Sequence, residues 1–85
     1  MQKMYLVEFS RTADKQLCKL DLPVQERIIS VLERIKVRPF HFIQRLVGTE
    51  EYKLRVGDYR ILYNVDIRKK LVCILKVGHR KDIYK

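Results

Sequence analysis

Cysteine and histidine are scarce in this sequence, with two of each among 85 residues. Cys18 and Cys73 lie far apart, no Cys-x-x-Cys pair exists, and His41 and His79 complete no ligand set. That spacing argues against a zinc site or a disulfide framework and leaves a disulfide or metal role as the lesser alternative. Each cysteine sits inside an apolar pattern, so both thiols are expected to be buried as small hydrophobes. Long apolar runs are missing as well. Charge interrupts every patch within a few residues, which excludes a transmembrane helix. "MQKMYLVEFS" has a short apolar run and no small-residue cleavage site, so no secretory signal is expected and the reading is a cytoplasmic protein. No Gly/Ser/Pro-rich stretch, repeat or low-complexity run marks a linker. The expectation is therefore one domain spanning residues 1–85. A chain of this length buries roughly two thirds of its unfolded surface and holds a single core.

What is present is a hydrophobic fraction of 47%, enough for a folded globule, and a net charge of +9. Residues 1–39 hold eight basic and five acidic side chains, whereas residues 40–85 hold eleven and five. The excess is concentrated in the second half. Such a field attracts RNA, DNA, an anionic membrane or an acidic protein partner, and charge alone does not choose among them.

Apolar periodicity gives the order of elements. "YLVEF", Tyr5–Phe9, reads as a mostly apolar, interior strand. Ser10 or Thr12 can cap a helix whose stripe is Ala13, Leu17 and Leu20. "LDLPV" breaks it, with Asp21 as a cap and Pro23 in a first turn. Val24, Ile28, Val31, Leu32 and Ile35 form the next stripe, on a helix ending near Arg38 because Pro39 follows. A connection runs from Phe40 to Thr49, with "FHF" tucked back on the core. Three strands follow, about Glu51–Val56, Tyr59–Val65 and Leu71–Val77. The last, "LVCILKV", is apolar on both faces, as a central strand would be. The expected fold is α+β, β-α-α-β-β-β, with two antiparallel helices on one face of a twisted, mainly antiparallel sheet and the other face open.

The hairpin "YKLRVGDYRILYN" carries the functional question. Gly57 and Asp58 suit a two-residue turn, since Gly supplies positive φ. Val56 then faces Tyr59, Leu54 faces Ile61 and Tyr52 faces Tyr63, making one apolar side. On the other side Arg55 faces Arg60 and Lys53 faces Leu62. A slip of one residue would bury the arginines, so the register is well specified. Directly opposed like charges cost about 1 kcal/mol at ~5 Å in a watery dielectric. Either the two side chains splay apart in solvent, or an anion such as a phosphate or carboxylate sits between them. On the solvent reading, Arg60→Ala keeps or slightly raises stability. The tail "VGHRKDIYK" brings His79, Arg80 and Tyr84 within six residues, so an imidazole, a guanidinium and a ring can converge at the end of the sheet.

"YKLRVGDYRILYNV" followed by "VGHRKDIY", behind two short helices closed by "RIKVRP", resembles the RelE/ParE superfamily of toxin–antitoxin toxins, and its RelE branch in particular. The likeness runs from Met4 to Tyr84. It implies a metal-independent mRNA interferase without cofactor, one that enters the ribosomal A site. There the 2′-hydroxyl attacks the adjacent phosphodiester of the codon. It also implies an acidic, partly helical RelB-like antitoxin that wraps the toxin, in a heterotetramer.

That reaction needs a proton removed, a doubly charged phosphorane stabilised and the departing 5′-oxygen protonated. Fixed cations can supply the electrostatic part. Arg55, Arg60 and Arg80 suit the phosphorane through their rigid forks, and Tyr84 suits base stacking. Lys53, Arg45, Arg68, Lys69 and Lys81 are the remaining candidates for binding RNA. Family members often carry two lysines at the positions of Lys53 and Arg55, the second proposed as a general base. Arg55 keeps its proton at neutral pH. The base role then falls to His79, the favoured reading, or to Lys53, or the enzyme relies on electrostatics and ribosomal groups. Glu50 and Glu51 offer a carboxylate but read better as solvated residues at a strand entrance. Two other classes stay open: a ParE-like toxin that poisons gyrase, and a non-catalytic RNA-binding protein.

Overall fold

The computed structural model describes residues 4–37, 44–45 and 51–82. The elements are β1 (Leu6–Phe9), α1 (Arg11–Cys18), α2 (Leu22–Val37), β2 (Gln44–Arg45), β3 (Tyr52–Val56), β4 (Tyr59–Asp66) and β5 (Leu71–His79). They form one mixed sheet in the order β1-β5-β4-β3-β2, in which only β1 and β5 run parallel. The expected α+β order holds, with one addition. Strand β2 pairs Gln44 with Lys53 and Arg45 with Tyr52. Two residues are too few for an alternating pattern to announce a strand. The rest of the Phe40–Thr49 connection, "FHF" and His41 included, lies outside the described residues, as do Arg38 and Pro39.

Strand β1 corrects its expectation. It is an edge strand, and Leu6 is 69% exposed. The meander β3-β4-β5 delivers its last strand beside β1, so β1 has a described neighbour on one side only. Val7 and Phe9 are half-buried against the core while Leu6 and Glu8 face outward.

The core lies between the sheet and both helices. Leu54, Val56, Ile61, Tyr63, Val72, Ile74 and Val77 from the strands meet Ala13 and Leu17 of α1 and Ile28, Leu32 and Ile35 of α2. The helix spacing follows the 3.6-residue period, which gathers these side chains on one stripe. Cys18 stands one residue past Leu17, about 100° around the helix, and is exposed; Cys73 is half-buried. Neither thiol is the core residue expected. Tyr63 is completely buried beside Tyr52, with ring centroids 5.8 Å apart. Burial, and secondarily the nearby Tyr52 phenol, pushes the Tyr63 hydroxyl far above the ordinary tyrosine range.

Ser10 ties the first helix to the last strand. Its backbone is extended and its Oγ accepts from the Ala13 amide at 3.0 Å, an N-cap. The same hydroxyl donates to the Leu75 carbonyl at 2.9 Å. Leu75 is an extra residue in β5: Lys76 pairs with Leu62 and Ile74 with Tyr63, so the ladder skips it as a β-bulge. Gln16 Oε1 accepts the Val77 amide at 2.8 Å, so α1 also serves a donor beside the bulge. Ser10→Ala removes a cap and a partner of the bulge together. We expect a loss of about 1–3 kcal/mol in urea unfolding, with the native spectrum retained.

Candidate active site

Alternation in β3, β4 and β5 arranges the sheet face away from the helices into cross-strand rows. Arg55, Arg60 and Gly78 make one row; Lys53, Leu62 and Lys76 make the next. The hairpin register is as the sequence specifies, with Arg55 opposite Arg60 and Gly57 at φ +59° in the turn. Four cations thus share one face, two arginines in one row and two lysines in the adjacent row. Lys36 pairs with Glu33 at 3.2 Å on α2, away from this face.

Arg60 is the correction that matters most. It was expected in solvent; it is 8% exposed. Its Nη1 donates to the Gly57 carbonyl at 3.1 Å and to the Tyr59 carbonyl at 3.0 Å. The side chain curls back onto the turn it follows, so the like-charge cost is offset by two charge-assisted bonds. The turn carbonyls engage Nη1 alone and leave Nε and Nη2 outside these two bonds. One nitrogen fixes the guanidinium and the others stay available. Leu62 is also buried on this side, outside the helix-facing core. The face is open, but it is not bare.

The tail is fastened to the same turn. The Arg80 amide donates to the Asp58 carbonyl at 2.8 Å, which sets the exposed Arg80 side chain beside the hairpin. His79 pairs with Tyr59, and the two rings meet edge-on at 5.5 Å. That row belongs with Val56, on the side of the core, so alternation directs His79 away from the face of Arg55 and Arg60. The Lys81 amide donates to His79 Nδ1 at 3.2 Å. With Nδ1 accepting, a neutral imidazole carries its hydrogen on Nε2 and presents a donor, which does not suit a base.

A chain of this topology with this cationic hairpin has well-defined relatives. The family model described as the ParE toxin of type II toxin–antitoxin systems, parDE, matches residues 7–84. Toxin RelG of Mycobacterium tuberculosis is 36% identical over 86 residues, covering 95% of this chain and 97% of that protein. The chain belongs to the RelE/ParE toxin superfamily. Solved structures agree. The RelBE2 toxin–antitoxin complex of M. tuberculosis superposes with a TM-score of 0.81 at 29% identity, over 91% of this chain and 99% of the other. The intact E. coli RelBE complex gives a TM-score of 0.81 at 28% identity, over 88% and 95%.

Within this RelE/ParE chain, the remaining candidates separate by position. Arg68 and Lys69 are exposed in the β4–β5 turn, at the far end of β4 from the hairpin. Eight residues at ~3.3 Å each lie between, so these two do not join the cluster. That turn makes contacts of its own. Lys70 takes φ +54°, its carbonyl accepts the Leu6 amide at 2.9 Å, and its ammonium stands 5.2 Å from the Tyr5 ring centre. Asp66 accepts the Lys69 amide at 3.0 Å. Lys81 is exposed in the C-terminal turn near Arg80. Arg45 is placed by its backbone in β2 opposite Tyr52. Tyr84 and Glu50 fall outside the described residues, while Glu51 is half-buried just before β3.

Sequence reading missed Lys76. It is exposed on the cationic face, two residues before Gly78. Alternation through "LVCILKV" would have located it only if the extra residue at Leu75 had been seen.

Proposed function

We propose that this toxin cleaves mRNA on the ribosome as an endoribonuclease and is held inactive by a RelB-like antitoxin. The observation that carries the reading is the Arg55–Arg60 row, with one guanidinium half-immobilised by turn carbonyls and no described carboxylate paired to either. A dianionic phosphorane is the kind of charge such a row complements. Donors already oriented before the reaction need no reorganisation during it, which is where electrostatic catalysis gains most.

In this mechanism the 2′-oxygen attacks the adjacent phosphorus and the bond to the 5′-oxygen breaks. The products are a 2′,3′-cyclic phosphate and a 5′-hydroxyl, the proton passing overall from the former oxygen to the latter. Arg60 and Arg55 hold the non-bridging oxygens, and Arg80 adds a third cation beside the turn. Lys53 and Lys76 are the members of this face able to exchange a proton, since the arginines keep theirs. His79 lies in the adjacent row, directed away from the arginine face, and takes no part in the proton transfers of this scheme. Tyr84 stacks a base. The RelBE complexes among the structural neighbours support an antitoxin partner, and a net charge of +9 supports an acidic one.

Mapping mRNA ends in cells expressing the chain tests this. We expect cuts inside translated codons that disappear when translation is blocked. The family model bears the ParE description, so a gyrase-directed toxin is the second reading. Intact mRNA with supercoiling-defective DNA would establish that reading and overturn the first.

A further inference from the structure

A second cationic feature lies around the edge of the sheet from the Arg55–Arg60 row. An open groove of about 670 Å³ runs between α2 and the end of β3, and its lining includes Arg27, Arg34, Glu26, Ser30 and Arg55. That volume falls within the ~300–1,000 Å³ typical of ligand sites. Arg27, Ser30 and Arg34 follow i, i+3, i+7 spacing, so one helix face presents them in line over two turns, about 10 Å. Against the three guanidiniums of Arg27, Arg34 and Arg55 the lining sets one carboxylate, Glu26.

Gly57 places one end of this line. A Cβ on Gly57 would meet Arg27 Nη2 at 3.4 Å and Nη1 at 3.5 Å. The Arg27 guanidinium thus lies in ordinary contact range of the hairpin tip, while Arg60 donates to the carbonyl of the same residue at 3.1 Å. The tip of the hairpin therefore joins two arginine sets, with Arg55 common to the groove and to the cross-strand row. Among the described residues β2 pairs with β3 only at Tyr52 and Lys53, and the groove occupies the edge beyond.

We infer that this groove is a phosphate-binding track for single-stranded RNA, gripping nucleotides next to the one whose phosphate rests on Arg55 and Arg60. The inference rests on the proposed nuclease reading and extends it to residues of α2. Continuity decides for RNA over an acidic peptide. A strand with one phosphate on Arg55 leaves the sheet at this edge, and the next cations it meets are Arg27 and Arg34. Their forks bind phosphate oxygens in pairs. Such contacts grip backbone and carry no base preference.

The test is the salt dependence of binding to a fully 2′-O-methylated oligoribonucleotide, which cannot be cleaved, followed by fluorescence anisotropy. For single strands each neutralised phosphate adds about 0.7 to the slope of log K against log salt. Arg27→Ala with Arg34→Ala should lower that slope by about 1.4 and weaken binding at every salt concentration. Replacing both with lysine should keep most of it. The exposed pair Lys15 and Lys19 on α1 serves as control, and removing them should leave the slope unchanged. Wild-type binding with the same slope in the Arg27/Arg34 alanine variant overturns the inference, while translation-dependent cuts in cells would still uphold the nuclease reading. An unchanged slope together with lost antitoxin binding would assign the groove to an acidic protein segment instead. If wild-type protein binds no RNA even at low salt, the track is refuted, and the cellular mapping decides separately whether cleavage remains.

Discussion

Arg60→Ala is expected to lower mRNA cleavage by about 10²- to 10³-fold and to destabilise the fold by about 1–2 kcal/mol. The two effects share one cause. The guanidinium is 8% exposed and its Nη1 bridges the Gly57 and Tyr59 carbonyls, so truncation strips the turn of its clamp and the row of its best-fixed charge. The stability loss is modest because Gly57 is exposed, and water can take over at its carbonyl. A neutral or stabilising effect is what a splayed, solvated arginine would give. Cleavage on programmed ribosomes and urea unfolding should be measured on the same preparation. Activity retained within a factor of a few would remove Arg60 from the chemistry. Activity lost in step with folding would make it a structural residue alone. Arg60→Lys separates charge from geometry: it keeps the cation on a single nitrogen but has no planar fork left to offer a phosphate once that nitrogen is on the turn, and should recover little of the rate.

Tyr63→Ala should cost about 3–5 kcal/mol, the range for emptying an aromatic site in a core. A chain of this size has roughly 4–13 kcal/mol to lose, so the variant should forfeit a large share of its stability and unfold at clearly lower urea. Tyr63 is the largest fully buried side chain, set in the central strand β4 and touching the ring of Tyr52. Its burial has a second consequence at high pH. The folded phenol is raised above its unfolded value, so this contribution to stability is complete below about pH 10 and declines as pH climbs beyond it. In that range the unfolded chain gives up a proton that the native state retains. Tyr63→Phe has no such proton, and its alkaline loss of stability should be shallower than wild type. Equal slopes for the two proteins would mean that the phenol is not held protonated by the fold.

The hairpin was the most legible part of the molecule. Gly57-Asp58 between alternating runs specifies both the turn and the register of Arg55 against Arg60, because any slip buries charge. Alternation assigns a face, though, and says nothing of where a long side chain ends. That is why Arg60 could be placed in its row from sequence while its retreat onto two turn carbonyls could not. Helix stripes were readable where several members repeat, as for Ile28, Leu32 and Ile35, and misleading for Cys18, an apolar neighbour one step out of line. The edge position of β1 depends on where β5 arrives, a matter of distant pairing that Leu6–Phe9 does not encode. His79 and Arg80 were rightly sent to the end of the sheet. Only the structure shows that the imidazole sits in the row next to the arginines, with Nδ1 already accepting.

Strand β5 looked apolar on both faces because it is two alternating segments joined out of phase. Before Leu75 the even-numbered residues Val72 and Ile74 enter the core; after it the odd-numbered Val77 does. A strand that paired Leu75 in regular alternation, with no bulge, would turn Lys76 inward and Val77 outward. Length is thus a protected quantity here: an added or lost residue anywhere else in β5 would invert one segment against its neighbours, whereas at Leu75 the joint can absorb it. The half bearing Lys76 and Gly78 and the half bearing Val72 and Ile74 can therefore diverge separately, each keeping its own frame, so long as Ser10 and Gln16 still grip the seam.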